Sequence, residues 1–271
     1  MNYKILILII LFIIFNILNI YHKKKEHFEN KKNYVWLYWE DKPGTTKSEY
    51  LNMCLDTFKK HLKDYEVIVL NPKNINNYLS NVNPNFNKIK TLAHKADYVR
   101  MLATYQHGGF WFDSDTVVMN NIDEWNEKLK THGIVFYGMS TFGVQKHNPF
   151  VKDVLDKIEK KLYRSKTFSF HWREIGQDII DPALERYKKN YPNKFYKITE
   201  NNIFFLPFNQ DNNRTGLLSR NEKTFNKFYN DNLKIVILHN QIYPHSFKKM
   251  TREEILKDDM LISRLFNISL V

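Results

Sequence analysis

With one cysteine, Cys54, among 271 residues, the chain has no internal disulfide and no cysteine-built metal site. No segment repeats at a fixed period. An arginine-rich or aromatic-interleaved basic tract is also missing, although 41 Lys+Arg outnumber 29 Asp+Glu for a formal charge of +12. The lysines are scattered through every segment, so the charge carries no nucleic-acid signature and no nucleic-acid partner is expected. A basic surface facing anionic lipid or anionic substrates accounts for it. The abundance of Lys, Asn and Ile also fits an AT-rich coding sequence, which makes part of the charge incidental.

Apolar residues run unbroken from Ile5 to Phe15 and continue through Ile17, Leu18 and Ile20. At about 1.5 Å per residue this stretch reaches about 25 Å, against a hydrocarbon core of about 30 Å. No small-x-small cleavage site follows, which speaks against a signal peptide. Tyr21-His22-Lys23-Lys24-Lys25 follows instead and reads as an interfacial anchor. The expectation is a single-pass membrane anchor over 1–21, a charged linker over 22–32, and one domain over 33–271. At roughly 240 residues that domain is long enough for a substantial core. Orientation stays open. Lysines behind the anchor favour a cytosolic domain, whereas sequons at Asn213 and Asn267 would fit a lumenal one.

The most informative stretch is Thr91 to Asp123. Leu92, Ala96, Val99 and Ala103 recur at helical spacing, with Asp97 and Arg100 together on one flank of that stripe. Gly108-Gly109 ends the helix, because glycine accepts the left-handed conformation of a helix end. Phe110-Trp111-Phe112 reads as a short buried strand, followed at once by Asp113-Ser114-Asp115. In extended backbone, residues two apart share a face, so Asp113 and Asp115 aim at one spot beyond the strand. Two carboxylates that close raise each other's pKa unless a cation sits beside them. A hard divalent ion, Mn²⁺ or Mg²⁺, suits such oxygen ligands and brings phosphates with it. The plain alternative is a solvated acidic turn with an exposed helical ion pair.

The pattern K-A-D-Y-V-R, seven residues, then G-G-F-W-F-D-S-D resembles the D-x-D sugar-transferase family. That family includes fungal mannosyltransferases, glucosyltransferase domains of clostridial toxins and bacterial capsular-polysaccharide synthesis proteins. The resemblance is strongest over about Tyr34 to Asp123. It implies a GT-A-like α/β fold, a single nucleotide-sugar-binding domain, and transfer of a hexose from a UDP- or GDP-linked donor. The acceptor would be a hydroxyl of a glycan or protein, and anomeric configuration would be retained. It assigns Trp36 to stacking on the nucleotide base, and Asp97 and Arg100 to sugar hydroxyls and the charge near the diphosphate. Asp113 would contact ribose and sugar hydroxyls, and Asp115 would bind the metal, which absorbs charge developing on the leaving diphosphate. Family members that are type II Golgi proteins favour a lumenal domain.

The rest of the chain supplies the frame. Tyr34–Trp39 and Glu66–Leu70 read as strands around a helix over Ser48–Leu62, implying a parallel pair in a mainly parallel α/β sheet. Ligands on such sheets bind beyond the strands' carboxyl ends. Ile134–Met139 and Phe142–Val144 read as a hairpin, and Pro149–Tyr163 as an amphipathic helix opened by Pro149. In Ser169–Asp181, the family's Gly-containing helix start makes Gln177 and Asp178 candidates for the sugar's reacting face. Their plain reading is a helix N-terminus favouring an acidic residue. Further strands are expected over Phe195–Ile198, Ile203–Leu206 and Leu233–Leu238. His239, at the end of the last, is the second candidate metal ligand, with His245 as fallback. Thr251–Phe266 reads as one helix capped by Thr251 and Glu254.

Two other classes fit parts of the chain. Phe112-Asp113-Ser114-Asp115-Thr116-Val117-Val118 also matches the D-x-D-x-T-[LV] motif of haloacid-dehalogenase-like phosphatases, in which Asp113 would be the nucleophile. That reading needs a later acidic pair after a strand, and it gives Asp97 and Arg100 no role. A membrane-tethered sugar-binding module without turnover is the other.

Overall fold

The computed structural model describes residues 12–16, 33–42, 44–205, 216–220, 225–226 and 229–270. The chain divides into two compact units, Met1–Asn33 and Tyr34–Val271. The expected membrane anchor is corrected: among the described residues no helix is long and apolar enough to cross a membrane. Of residues 1–21 the structure describes only 12–16, and the linker over 22–32 lies outside the described residues. The expected membrane placement is corrected on the same finding, and a membrane partner is not supported by the described residues. Asn213 also lies outside the described residues, and the Asn267 side chain is engaged, donating to the Leu256 carbonyl at 3.0 Å.

In the second unit, β1 (Tyr34–Tyr38) is buried along its whole length, as its unbroken aromatic and branched run requires of a strand covered on both faces. Ser48 occupies the N-cap position of α1 (Glu49–His61), without a side-chain capping bond, and the helix crosses over to β2 (Glu66–Leu70) in parallel register with β1, Tyr34 opposite Glu66. Next comes α2 (Leu92–His107), buried through most of its length, so that no single face is the core face. The expected stripe residues Leu92 and Ala96 lie on a cleft wall instead. Gly108 and Gly109 have φ of +70° and +93°. A Cβ on Gly108 would come within 2.7 Å of the Lys146 nitrogen, and one on Gly109 would run into the Tyr34 carbonyl. Both the turn and the approach of β3 (Gly109–Phe112) to β1 therefore need glycine.

After β3 the chain leaves the main sheet. β4 (Thr116–Val118) belongs to a second, three-stranded sheet, and α3 (Asp123–His132) leads back to the hairpin of β5 (Ile134–Gly138) and β6 (Thr141–Val144). α4 (Pro149–Arg164) and α5 (Gln177–Asn190) precede β7 (Tyr196–Lys197), β8 (Ile203–Phe205) and β9 (Ile235–Ile237). The main sheet has the order β2-β1-β3-β6-β5-β7. Its pairings β1/β2, β1/β3 and β5/β7 are parallel, while the β5–β6 hairpin brings two antiparallel ones. The fold is mixed α/β with a central, mostly parallel sheet. The small sheet, β4-β9-β8, is not legible in the strand–helix alternation, and Asp113-Ser114-Asp115 forms the seam between the two sheets.

The C-terminal helix is two helices, α6 (Arg252–Lys257) and α7 (Leu261–Leu270). The Thr251–Glu254 capping box is present. The break falls at Asp258, which is extended and accepts the Met260 N–H at 2.9 Å. A short polar side chain that bonds nearby backbone competes with the helix at such a point.

Candidate active site

The carboxyl ends of β1 and β3 open onto a cleft of about 2450 Å³, the position at which α/β sheets receive ligands. Asp97, Arg100, Asp113, Asp115, Gln177 and His239 all line it. At its centre Arg100, 6% exposed, sits between two carboxylates, with Nη2 at 3.3 Å from Asp97 and 3.4 Å from Asp113. Its Nη1 donates to the Met139 carbonyl at 2.6 Å, and the guanidinium lies 5.1 Å from the centre of the Trp111 ring. Guanidinium suits this place because its planar fork serves several acceptors and stacks on an aromatic face at once.

The two motif carboxylates share the cleft but have different partners. Asp113 accepts from the Trp111 indole N–H at 3.0 Å, and its own N–H donates to the Ser140 carbonyl at 2.9 Å. Asp115 accepts the backbone N–H of Asn240 at 2.5 Å. This contact follows from sheet register: Thr116 faces Ile237 in the antiparallel β4/β9 pair, so Asp115 and the His239–Asn240 segment emerge side by side. The Tyr50 hydroxyl donates in turn to the Asn240 side chain. His239 adopts φ +55° where β9 ends.

Burial, then the charge of Asp113, pushes the Asp115 pKa up to about 6, while the Asn240 N–H and Lys248 draw it back. Asp97 is raised chiefly by burial, with Arg100 and His94 opposing and Asp113 adding to the rise. Burial lowers His239, and Asp113 pulls it upward. A carboxylate and an imidazole in one cleft are side-chain types that divalent ions accept as ligands. Among the described residues no group of three or more His, Cys, Asp or Glu side chains is arranged to hold a metal.

Two expected site residues, Trp36 and Asp178, are placed elsewhere. Trp36 is 0% exposed; its indole N–H donates to the Gly108 carbonyl at 2.8 Å and its ring packs between Tyr34 and His107. It braces the glycine turn from within the core, and the aromatics at β1's end that reach the cleft are Tyr38 and, one residue on, Trp39. Asp178 points away from the cleft into ion pairs with Arg173 at 3.0 Å and His171 at 3.5 Å. The acidic pair Asp258–Asp259 that a phosphatase reading would use is joined to Arg220 and does not line the cleft. His245 does line it.

Several residues in the site went unread. Trp111 holds both Asp113 and Arg100, and its two-residue spacing from Asp113 was a usable signal. Lys95, buried within K-A-D-Y-V-R, pairs with Glu40 at 2.8 Å, and Glu40 also accepts from the Tyr38 hydroxyl at 2.6 Å. That bridge fixes the segment around Trp39 to α2. Gly176 caps α5 where an added Cβ would lie 3.3 Å from the Asp97 carboxylate.

The cleft at the strand ends thus gathers paired carboxylates, an arginine and an aromatic rim. Residues 14–148, about half of the chain, match the family model described as "Capsular polysaccharide synthesis protein". The match takes in the whole K-A-D-Y-V-R to D-S-D stretch and bears out the resemblance read from it: the chain is a glycosyltransferase. No protein of curated function matches the sequence. Among solved structures the chain is similar to the PaToxG glycosyltransferase, with 14% identity and a TM-score of 0.43 over 65% of this chain and 77% of that one. It is also similar to GlyE of Streptococcus pneumoniae TIGR4, at 11% identity and 0.47, covering 89% of this chain and 61% of GlyE. Mouse xyloside xylosyltransferase 1 in its apo form is a third, at 9% and 0.45, covering 78% and 99%.

Proposed function

We propose that the chain transfers a hexose from a UDP- or GDP-linked donor to a hydroxyl of a glycan, in polysaccharide synthesis. The observation that carries this reading is the convergence of Asp97, Arg100, Asp113 and Asp115 on one cleft at the strand ends. Trp39, in place of Trp36, would receive the nucleotide base. Asp97 and Asp113, both held by Arg100, would accept hydrogen bonds from the sugar hydroxyls. Charge-assisted bonds of this kind fix orientation as well as affinity. Asp115 and His239 would hold Mn²⁺ or Mg²⁺, which when bound neutralises charge on the departing diphosphate. Gln177, beside Asp97 at the start of α5, would face the reacting carbon.

Transfer would proceed with retention. The acceptor oxygen attacks from the leaving-group side, the bond from the anomeric carbon to the diphosphate breaks, and the hydroxyl proton passes to a diphosphate oxygen. The chain's own part is to orient the donor and exclude water, a positional contribution that reaches about 7–11 kcal/mol in well-aligned systems. The test is nucleoside diphosphate release from a panel of UDP- and GDP-hexoses with Mn²⁺ and a glycan pool. Release from one donor, lost on chelation and in Asp115→Asn, supports the reading. Cleavage of phosphate monoesters that depends on Asp113, without release from any donor, replaces it with the phosphatase.

A further inference from the structure

Trp172 is 60% exposed, and among the described residues it is the one strongly exposed large apolar side chain on the cleft. A single exposed apolar side chain is ordinary on a protein surface; what sets this indole apart is its place in the cleft and the support beneath it. Its support is built. His94, 2% exposed on α2, meets the Trp172 carbonyl at 3.3 Å through Nε2 and packs its ring 6.4 Å from the indole and 5.9 Å from Phe170. The neighbours turn outward: Arg173 pairs with Asp178 and Asp181, and Glu174 with Lys161. Those contacts hold the segment and leave the indole to the cleft. Four residues on, Gly176 abuts the Asp97 carboxylate, so Trp172 belongs to the part of the cleft lining that adjoins Asp97.

We propose that Trp172 is the acceptor platform, an indole face on which a pyranose ring of the incoming glycan lies. This rests on the transferase reading of the same cleft. The chemistry selects the ligand. One face of a pyranose presents C–H bonds carrying partial positive charge, which suits the negative face of an aromatic ring, while its hydroxyls stay at the edge for water and Gln177. The open setting of Trp172 suits a chain that extends into solvent.

The test uses the full chain and uncharged linear tetrasaccharides of glucose, galactose and mannose, with binding followed by ligand-observed NMR so that the readout does not depend on tryptophan emission. Wild type binds at least one of them. Trp172→Ala weakens that binding tenfold or more, Trp172→Phe stays within about threefold of wild type, and Tyr163→Ala, an exposed aromatic off the cleft, changes nothing. With a donor in hand, Trp172→Ala also shifts the product ratio from glycan transfer toward donor hydrolysis. Equal binding by Trp172→Ala, or no tetrasaccharide bound by wild type, overturns the proposal. Failure of the transferase reading is separate: no donor releases nucleoside diphosphate, while Trp172-dependent glycan binding persists.

Discussion

The backbone N–H of Asn240 donates to the Asp115 carboxylate at 2.5 Å, joining two residues 125 positions apart. The small sheet exists to make that meeting: β4 begins at the residue after Asp115, and β9 ends two residues before His239. The partner of the Asp115 carboxylate is thus set by a sheet register far from the motif itself.

That carboxylate is held at a cost to the fold. Its pKa rises from the ordinary 3.8 to about 6, so the folded state binds the proton more tightly than the unfolded one. The contribution is therefore unfavourable above pH 6, and stability climbs as pH falls from about 6 toward 3.8. Asp115→Asn should raise metal-free stability at pH 7.5 by up to about 3 kcal/mol, less where solvent screens the charge. Thermal melts across pH 4–8 check this: the variant's profile should be flatter over that window, and an unchanged profile contradicts it.

Arg100 is the cation for two carboxylates. Removing one partner from a buried ionic cluster costs about 3–5 kcal/mol. Arg100→Ala should lose about that much in urea unfolding, and Arg100→Lys should recover only part, since an ammonium cannot span Asp97, Asp113 and the Met139 carbonyl together. Arg100→Ala combined with Asp97→Ala should cost less than the sum of the two.

The two tryptophans at β1 should separate cleanly. Trp36→Phe leaves the buried Gly108 carbonyl without its indole donor, at about 1–3 kcal/mol of stability. Trp39→Ala, at the cleft, should keep the fold and weaken nucleotide-sugar binding tenfold or more. Calorimetric titration and thermal melts on both variants distinguish these effects.

Gly176→Ala should act through Asp97. The added methyl would sit 3.3 Å from its carboxylate, closer than a comfortable contact, so that the carboxylate must shift by a few tenths of an ångström against its ion pair with Arg100. Donor KM should rise several-fold while the melting temperature moves little. An unchanged KM would separate Gly176 from the donor site.

The residues of the cleft floor were legible because they lie within one short segment whose helix, glycine turn and strand each carry a local signal. Asp97, Arg100, Asp113 and Asp115 come together through contacts of neighbouring elements. Trp36 was misplaced because a strand buried on both faces gives no alternation to tell the core side from the cleft side, and Trp39 lies one step beyond the strand end. Asp178 reads like Gln177 in sequence, yet one helix step turns it outward to Arg173. The small sheet, the break at Asp258 and the Lys95–Glu40 bridge rest on pairings remote in sequence, for which no local pattern exists.

The central claim is that this cleft binds a nucleotide sugar through its paired carboxylates and a divalent ion. Calorimetric titration of wild type with UDP- and GDP-hexoses, with and without Mn²⁺, tests it most directly. The account predicts binding of one donor that weakens at least tenfold when Mn²⁺ is withheld and in Asp115→Asn. Binding of no nucleotide sugar, or equal affinity with and without the metal, contradicts it.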